Sequence, residues 1–309
     1  MTVLYHDPLF QQHLTGNHPE SPARLQAITR KLEQSRLVER CEPGKLRVAA
    51  IDELMRLHDQ DYVSSVAEYA SAGGGRIEAD TVVSPQSYDV ARNAAGAALA
   101  AVDDVLTGRA QTALCLIRPP GHHALPRSAM GFCLFNSVAL AAEQALRVHD
   151  LERVLIVDWD VHHGNGTQDV FYERDDVYFF SAHRSPFYPG TGGADETGTG
   201  KGLGATFNLP LKFGTPRDEY LTRFERMLTD AATRCRPQLV LLSAGFDAHR
   251  DDPIGSLGLE TEDYVRLTQS VQAVARDYCS GRIVSLLEGG YNVSALADCV
   301  AVHLTELLK

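Results

Sequence analysis

Short apolar runs without polar alternation narrow the fold more than any other feature of this sequence. Ala113–Ile117, Arg153–Val157, Leu239–Ser243 and Ile283–Leu287 read this way. Such runs suit strands covered on both faces, as in a parallel sheet. Thr2–Tyr5, Val177–Ser181 and Ala205–Leu209 add further strands. Stretches with helical spacing lie between them: Ala23–Glu39, Asp59–Ala70, Tyr88–Leu106, Asn136–Val148, Asp218–Arg234, Glu262–Tyr278 and Ser294–Leu308. The alternation predicts an α/β fold with a central, mostly parallel sheet of about eight strands, flanked by helices on both faces. No repeat, low-complexity segment or linker divides the 309 residues, so one domain over 1–309 is expected. Gly73-Gly74-Gly75 opens a loop to about Pro85, and Pro186–Gly204 reads as a long glycine-rich loop.

In open α/β sheets, ligands bind beyond the carboxyl ends of the strands. Four of the runs end there in polar clusters. Ala113–Ile117 leads into Arg118-Pro119-Pro120-Gly121-His122-His123, and Arg153–Val157 into Asp158–His163. Leu239–Ser243 leads into Ala244-Gly245-Phe246-Asp247, and Ile283–Leu287 into Glu288-Gly289-Gly290-Tyr291. Each alone reads more readily as a polar turn. Together, on one rim, they favour a site.

Asp158-Trp159-Asp160-Val161-His162 is the densest of these clusters. In an extended chain Asp158, Asp160 and His162 point one way, Trp159 and Val161 the other. Two carboxylates and an imidazole suit a borderline divalent cation such as zinc. Gly164 and Gly166 are expected to end the strand in a sharp turn.

Composition excludes some classes. With 44% hydrophobic and 22% charged residues, the chain is an ordinary globular one. No apolar run approaches the ~18 residues of a membrane span, and Met1–Asp7 lacks the basic region of a secretory signal. The six cysteines show no CxxC spacing and read as reduced thiols of a cytoplasmic protein. A net charge of −11 argues against nucleic acid and is compatible with cationic substrates.

These motifs, with His18-Pro19-Glu20, Gly131-Phe132-Cys133, the run Asp158–Thr167 and Tyr188-Pro189-Gly190-Thr191-Gly192, resemble the zinc-dependent histone deacetylase family of the arginase-deacetylase fold. Glu288-Gly289-Gly290-Tyr291 and Asn165 resemble its class II branch and bacterial amidohydrolase relatives. The resemblance implies zinc at Asp160, His162 and Asp247, with ferrous iron suited to the same donors. It implies His123 as general base and acid, and His122 as its electrostatic partner, bonded to Asp158. Asn165 would face His123 and Tyr291 would donate to the oxyanion. It also implies a substrate tunnel at Gly131, Phe132, Tyr188 and Gly289, with Asp80 at the rim, Ile254 at the mouth and Arg24 beside an inner cavity. A structural potassium ion is implied at Asp158, Asp160, His162, Ser181 and Ala182, and a second near Phe171 and Val177.

The implied activity is hydrolysis of N-ε-acyl (acetyl) lysine amides in proteins or peptides. The alternative is an amidohydrolase of acetylated polyamines, whose class II relatives carry Glu where this chain has Ile254. An arginase-like dimetal site would lack ligands for its second metal. A catalytically silent acyl-lysine binder would not need the set Asp160, His162, Asp247, His123 and Tyr291. No nucleic-acid or membrane partner is expected.

Overall fold

The computed structural model describes residues 1–309. Its strands are β1 (Thr2–Tyr5), β2 (Glu42–Pro43), β3 (Gly75–Arg76), β4 (Val82–Val83), β5 (Thr112–Cys115), β6 (Val154–Asp158), β7 (Val177–Arg184), β8 (Thr206–Leu211), β9 (Leu239–Ala244) and β10 (Ile283–Leu287). Its helices are α1 (Pro22–Gln34), α2 (Ile51–Leu54), α3 (Gln60–Ser71), α4 (Ser87–Leu106), α5 (Ser137–Arg147), α6 (Asn165–Phe171), α7 (Arg217–Cys235), α8 (Asp263–Cys279) and α9 (Val293–Leu307).

Eight strands form one sheet in the order β2-β1-β5-β10-β9-β6-β7-β8, and every pairing in it is parallel. The reason is visible in the inner strands: every residue of β5, β6, β9 and β10 is buried. Helices α1, α9, α8 and α7 pack in succession, as do α3, α4, α5 and α6, and cover the sheet. Asparagine side chains set two helix starts: Asn136 Oδ1 accepts from Ala139 N at 3.0 Å, and Asn292 Oδ1 from Ala295 N at 3.1 Å.

The structure departs from the expectations in several places. The edge strand β2 is two residues in a polar stretch and pairs only with β1, so no apolar run announces it. The glycine-rich loop after α3 contains the antiparallel hairpin β3–β4. Helix α1 stops at Gln34 rather than Glu39, because Arg36 takes φ +54° and breaks the repeat.

The largest correction concerns Asp158–Gly166. Strand β6 ends at Asp158, so Asp160 and His162 lie in the bend beyond it and strict strand alternation does not govern them. Helix α6 begins at Asn165, and neither Gly164 nor Gly166 has positive φ. These two glycines permit close approach instead. A Cβ on Gly164 would lie 2.2 Å from Asp158 Oδ2, and one on Gly166 2.3 Å from the Ala124 carbonyl oxygen.

Candidate metal centre and active site

The four strands that end in polar clusters, β5, β10, β9 and β6, are consecutive in the sheet. Their parallel register brings the clusters to one rim. Asp160, His162 and Asp247 converge there, with one potential ligand atom from each lying within 4.8 Å of the others, all three buried. Nδ1 of His162 is 2.9 Å from Asp160 Oδ1 and 3.2 Å from Asp247 Oδ2.

Backbone amides hold both carboxylates. Val161 N donates to Asp247 Oδ1 (2.9 Å), His162 N to Asp160 Oδ1 (2.9 Å) and Gly289 N to Asp160 Oδ2 (2.8 Å). Asp247 Oδ2 is buried and, apart from the 3.2 Å approach of His162 Nδ1, accepts no hydrogen bond. An orphaned carboxylate oxygen in the interior is costly unless a cation meets it. Gly289 leaves the necessary room: a Cβ there would sit 2.1 Å from Asp247 Oδ2 and 2.5 Å from Asp160 Oδ2. Burial disfavours a His162 cation, yet Asp160 and Asp247 outweigh it and raise His162 to about 10. A divalent cation would displace that proton. The residues present therefore fit a divalent cation with N and O ligands.

The tandem histidines face this group. His122 Nδ1 lies 2.9 Å from Asp158 Oδ2, and His123 Nδ1 lies 2.7 Å from Asn165 Oδ1. Because the amide oxygen only accepts, His123 carries its proton on Nδ1 and leaves Nε2 free. Met130 Sδ, 3.4 Å from Asn165 Nδ2, takes the other side of the amide. The two rings, 4.0 Å apart, have opposite tendencies. Burial works against a charged His122, but Asp158, Asp160 and Glu288 hold its pKa well above the ordinary range. Burial, His122 and His162 push His123 well below it. Asp158 Oδ1 also accepts from Asp160 N at 3.1 Å, which ties the histidine pair to the ligand loop.

A pocket of about 140 Å³ opens onto these groups. Asp80, Gly131, Phe132, Tyr188, Ile254 and Tyr291 line it, with His123 and His162. Phe132 is held at φ +70°, with its amide donating to Thr81 Oγ1 at 3.1 Å and its ring edge-on to His18 and Tyr291. Gly131 is needed beside it, since a Cβ there would meet His123 Cδ2 at 2.3 Å. Asp80 Oδ1 accepts from Thr81 Oγ1 at 3.0 Å, and burial and the neighbouring Glu78 raise its pKa. Ser181 pairs with Asp158 across β6 and β7, which brings Ser181 and Ala182 beside the bend that carries Asp160 and His162.

Arg24 is fully buried. It donates to the carbonyls of Gly290 (2.7 Å) and Glu288 and to Glu20 Oε1 (3.1 Å), with its guanidinium 5.1 Å from the Tyr291 ring centroid. Glu20 also pairs with Arg118, and although burial opposes its charge, the two arginines and His13 bring it down to about 2.

Sequence reasoning gave no role to three further residues, although it named Glu288 within its cluster. Phe187 lines the pocket and stacks on His162, with centroids 5.2 Å apart. Its only signal was its place beside Tyr188 in the proline-flanked loop. Asp252 binds both Ile254 N and Gly255 N at 2.9 Å through Oδ1, and Tyr291 N at 2.7 Å through Oδ2, fastening the pocket mouth to the Tyr291 loop. Glu288 accepts from Gly121 N (2.7 Å), His122 N (3.3 Å) and Ser243 Oγ (3.0 Å) and thereby anchors the histidine loop.

Comparison with known proteins points the same way. The histone deacetylase domain family matches residues 18–307. A histone deacetylase-like amidohydrolase of Pseudomonas aeruginosa is 39% identical over 298 residues, covering 96% of this chain and 78% of that protein. The human polyamine deacetylase HDAC10 is 40% identical over 322 residues, 99% of this chain and 48% of the relative. The crystal structure of the HDA15 HD domain superposes with a TM-score of 0.94 at 37% identity, covering 99% of this chain and 88% of that one.

Proposed function

The chain belongs to the histone deacetylase family and is an amide-hydrolysing deacetylase; on that premise we propose that it removes acyl groups from lysine side chains of peptides or proteins. Water adds its oxygen to the acyl carbon, the C–N bond breaks, and a carboxylate and a free lysine amine leave.

Asp160, His162 and Asp247 would hold zinc, the usual metal of this family, and ferrous iron suits the same donors. Such a cation, when bound, polarises the acyl carbonyl and makes a water more acidic. Nε2 of His123 takes the proton from the attacking water and later delivers it to the departing amine. Asn165 keeps that nitrogen free by binding Nδ1. His122, cationic against Asp158, keeps positive charge beside the site of reaction. Tyr291 donates its hydroxyl to the oxygen on which negative charge develops. Phe132, Phe187, Tyr188 and Ile254 enclose the aliphatic stem and exclude water. Asp80 offers a carboxylate to the backbone of a bound peptide. A structural potassium ion at Asp158, Asp160, His162, Ser181 and Ala182 belongs to the same proposal.

The observation that carries the lysine reading is the pocket itself, which is small at about 140 Å³, walled by aromatic rings and has apolar Ile254 among its lining residues. A second reading, hydrolysis of acetylated polyamines, draws on Asp80, a carboxylate in that lining that can pair with a distant ammonium. The test is kcat/KM of metal-loaded enzyme on an acetyl-lysine peptide and on acetylspermidine. A clear preference for the peptide is expected; a strong preference for acetylspermidine replaces the first reading with the second.

A further inference from the structure

Phe213 is one of the most exposed large apolar side chains of the protein, with 66% of its surface accessible. It is nonetheless held in place. The turn Lys212–Thr215 is closed by Thr215 N donating to the Lys212 carbonyl at 3.0 Å and by Thr215 Oγ1 donating to the same oxygen at 2.7 Å, with Gly214 at φ +83°. The Phe213 ring lies 4.5 Å from the Arg184 guanidinium carbon, and the Phe187 ring lies 4.2 Å from that same carbon. One guanidinium is thus shared by an exposed ring and a ring that lines the catalytic pocket. Arg184 Nη1 donates to the Gly255 carbonyl at 2.8 Å, next to the pocket residue Ile254. Ser185 N donates to the Leu211 carbonyl at 2.8 Å, so the loops after β7 and β8 meet on the rim. A continuous row therefore runs from the metal-binding group outward: His162, Phe187, Arg184, Phe213.

A second exposed aromatic, Tyr188 at 38%, lies in the pocket wall next to Phe187 in sequence. When a lysine side chain fills the pocket, its own backbone lies across the mouth. The neighbouring Cα atoms are then only about 3.8 Å away on either side. Side chains flanking the lysine must rest on the rim. We propose that Phe213, stacked on Arg184 at the outer end of this row, is a preorganised apolar shelf that binds a large apolar side chain adjacent to the acyl-lysine. The inference rests on the acyl-lysine reading and names which peptides that site selects. The charge of Arg184 is covered by two rings and by Gly255, so the shelf offers ring faces rather than a salt bridge. Since the turn already fixes Phe213, little ordering opposes binding.

The test uses metal-loaded full-length enzyme and a set of acetyl-lysine peptides of equal length. The residue before or after the lysine is Leu, Phe, Gly or Asp in turn. Covering one face of a ring predicts that Leu and Phe exceed Gly by about five- to tenfold in kcat/KM at one of the two positions, mainly through KM. In Phe213→Ala, that Leu-to-Gly ratio falls to near one. Persistence of the ratio in Phe213→Ala, or peptides cleaved without any flank preference, overturns the shelf while leaving the acyl-lysine reading intact. Turnover of acetylspermidine with no turnover of any peptide overturns the reading beneath it instead.

Discussion

The amide oxygen of Asn165 lies 2.7 Å from Nδ1 of His123, so the imidazole that faces the pocket is oriented by a neutral partner. Its neighbour His122 is oriented by the carboxylate of Asp158 at 2.9 Å. Two adjacent rings are thereby given different protonation tendencies. Replacing the amide with a carboxylate removes part of that difference. In Asn165→Asp the added negative charge favours the imidazolium of His123. A base must be neutral to accept a proton, so the acid limb of the kcat/KM–pH profile is expected to move to higher pH. A limb that stays in place, or moves down, removes His123 from the role of base.

Asp247→Ala deletes one of the three proposed ligands and leaves Val161 N without its acceptor. The variant is expected to lose most bound metal and most turnover, and about 1–3 kcal/mol of stability from the unpaired buried amide. Elemental analysis of the purified protein checks the first and urea unfolding the last. A variant that keeps stoichiometric metal refutes the ligand assignment.

Tyr291 is held by its backbone through Asp252 and packed against Phe132, so its hydroxyl can be deleted without disturbing either contact. Tyr291→Phe should fold and bind metal like the parent and lose about 10²–10³ in kcat, the usual effect of one missing oxyanion donor. An unchanged kcat would make Tyr291 a packing residue.

His303, which packs against Trp159 and Phe246, provides a second pH dependence. It is fully buried between Thr268 Oγ1 at 2.7 Å and Ser285 Oγ at 2.9 Å, and burial lowers its pKa to about 3. The folded protein therefore keeps it neutral while the unfolded chain protonates it near pH 6.5. Its contribution is complete above pH 6.5 and is lost as pH falls toward 3, at about 1.4 kcal/mol per pH unit. In His303→Gln, unfolding free energy should fall less steeply between pH 6.5 and 5 by about that slope. Equal slopes in the two proteins would show that His303 titrates alike in both states.

Ile254→Glu is expected to shift the ratio of kcat/KM toward acetylspermidine over an acetyl-lysine peptide. A charge pair at a partly exposed mouth is worth roughly 1 kcal/mol, which limits the shift to about tenfold. Parallel assays of both substrates on both proteins decide it, and no change would show that position 254 does not meet the distal ammonium.

The inner strands were readable because burial on both faces leaves uninterrupted apolar letters, as in Leu239-Val240-Leu241-Leu242. The gathering of Asp160, His162 and Asp247 was readable because each follows such a run. What stayed hidden depends on tertiary partners. Glu42–Pro43 becomes a strand only because β1 supplies its hydrogen bonds. Gly164 and Gly166 look like turn residues, yet they are small because Asp158 and Ala124 crowd them. Asp252 carries no local sign that it will bind the Tyr291 amide, 39 residues away.

The strand order sets one part of recognition apart from the chemistry, although Phe132 and Ile254 follow the central strands β5 and β9. His122 and His123, Asp160 and His162, Asp247, and Tyr291 follow β5, β6, β9 and β10, each hydrogen-bonded to a neighbour on both sides. Phe187, Tyr188 and Phe213 follow β7 and β8, at one margin of the sheet. Buried interior strands generally open only in large-scale unfolding, whereas marginal loops answer to local fluctuation. Selection can therefore rewrite which acylated substrates are accepted by altering the margin, while the groups proposed to cleave the amide stay fixed at the centre.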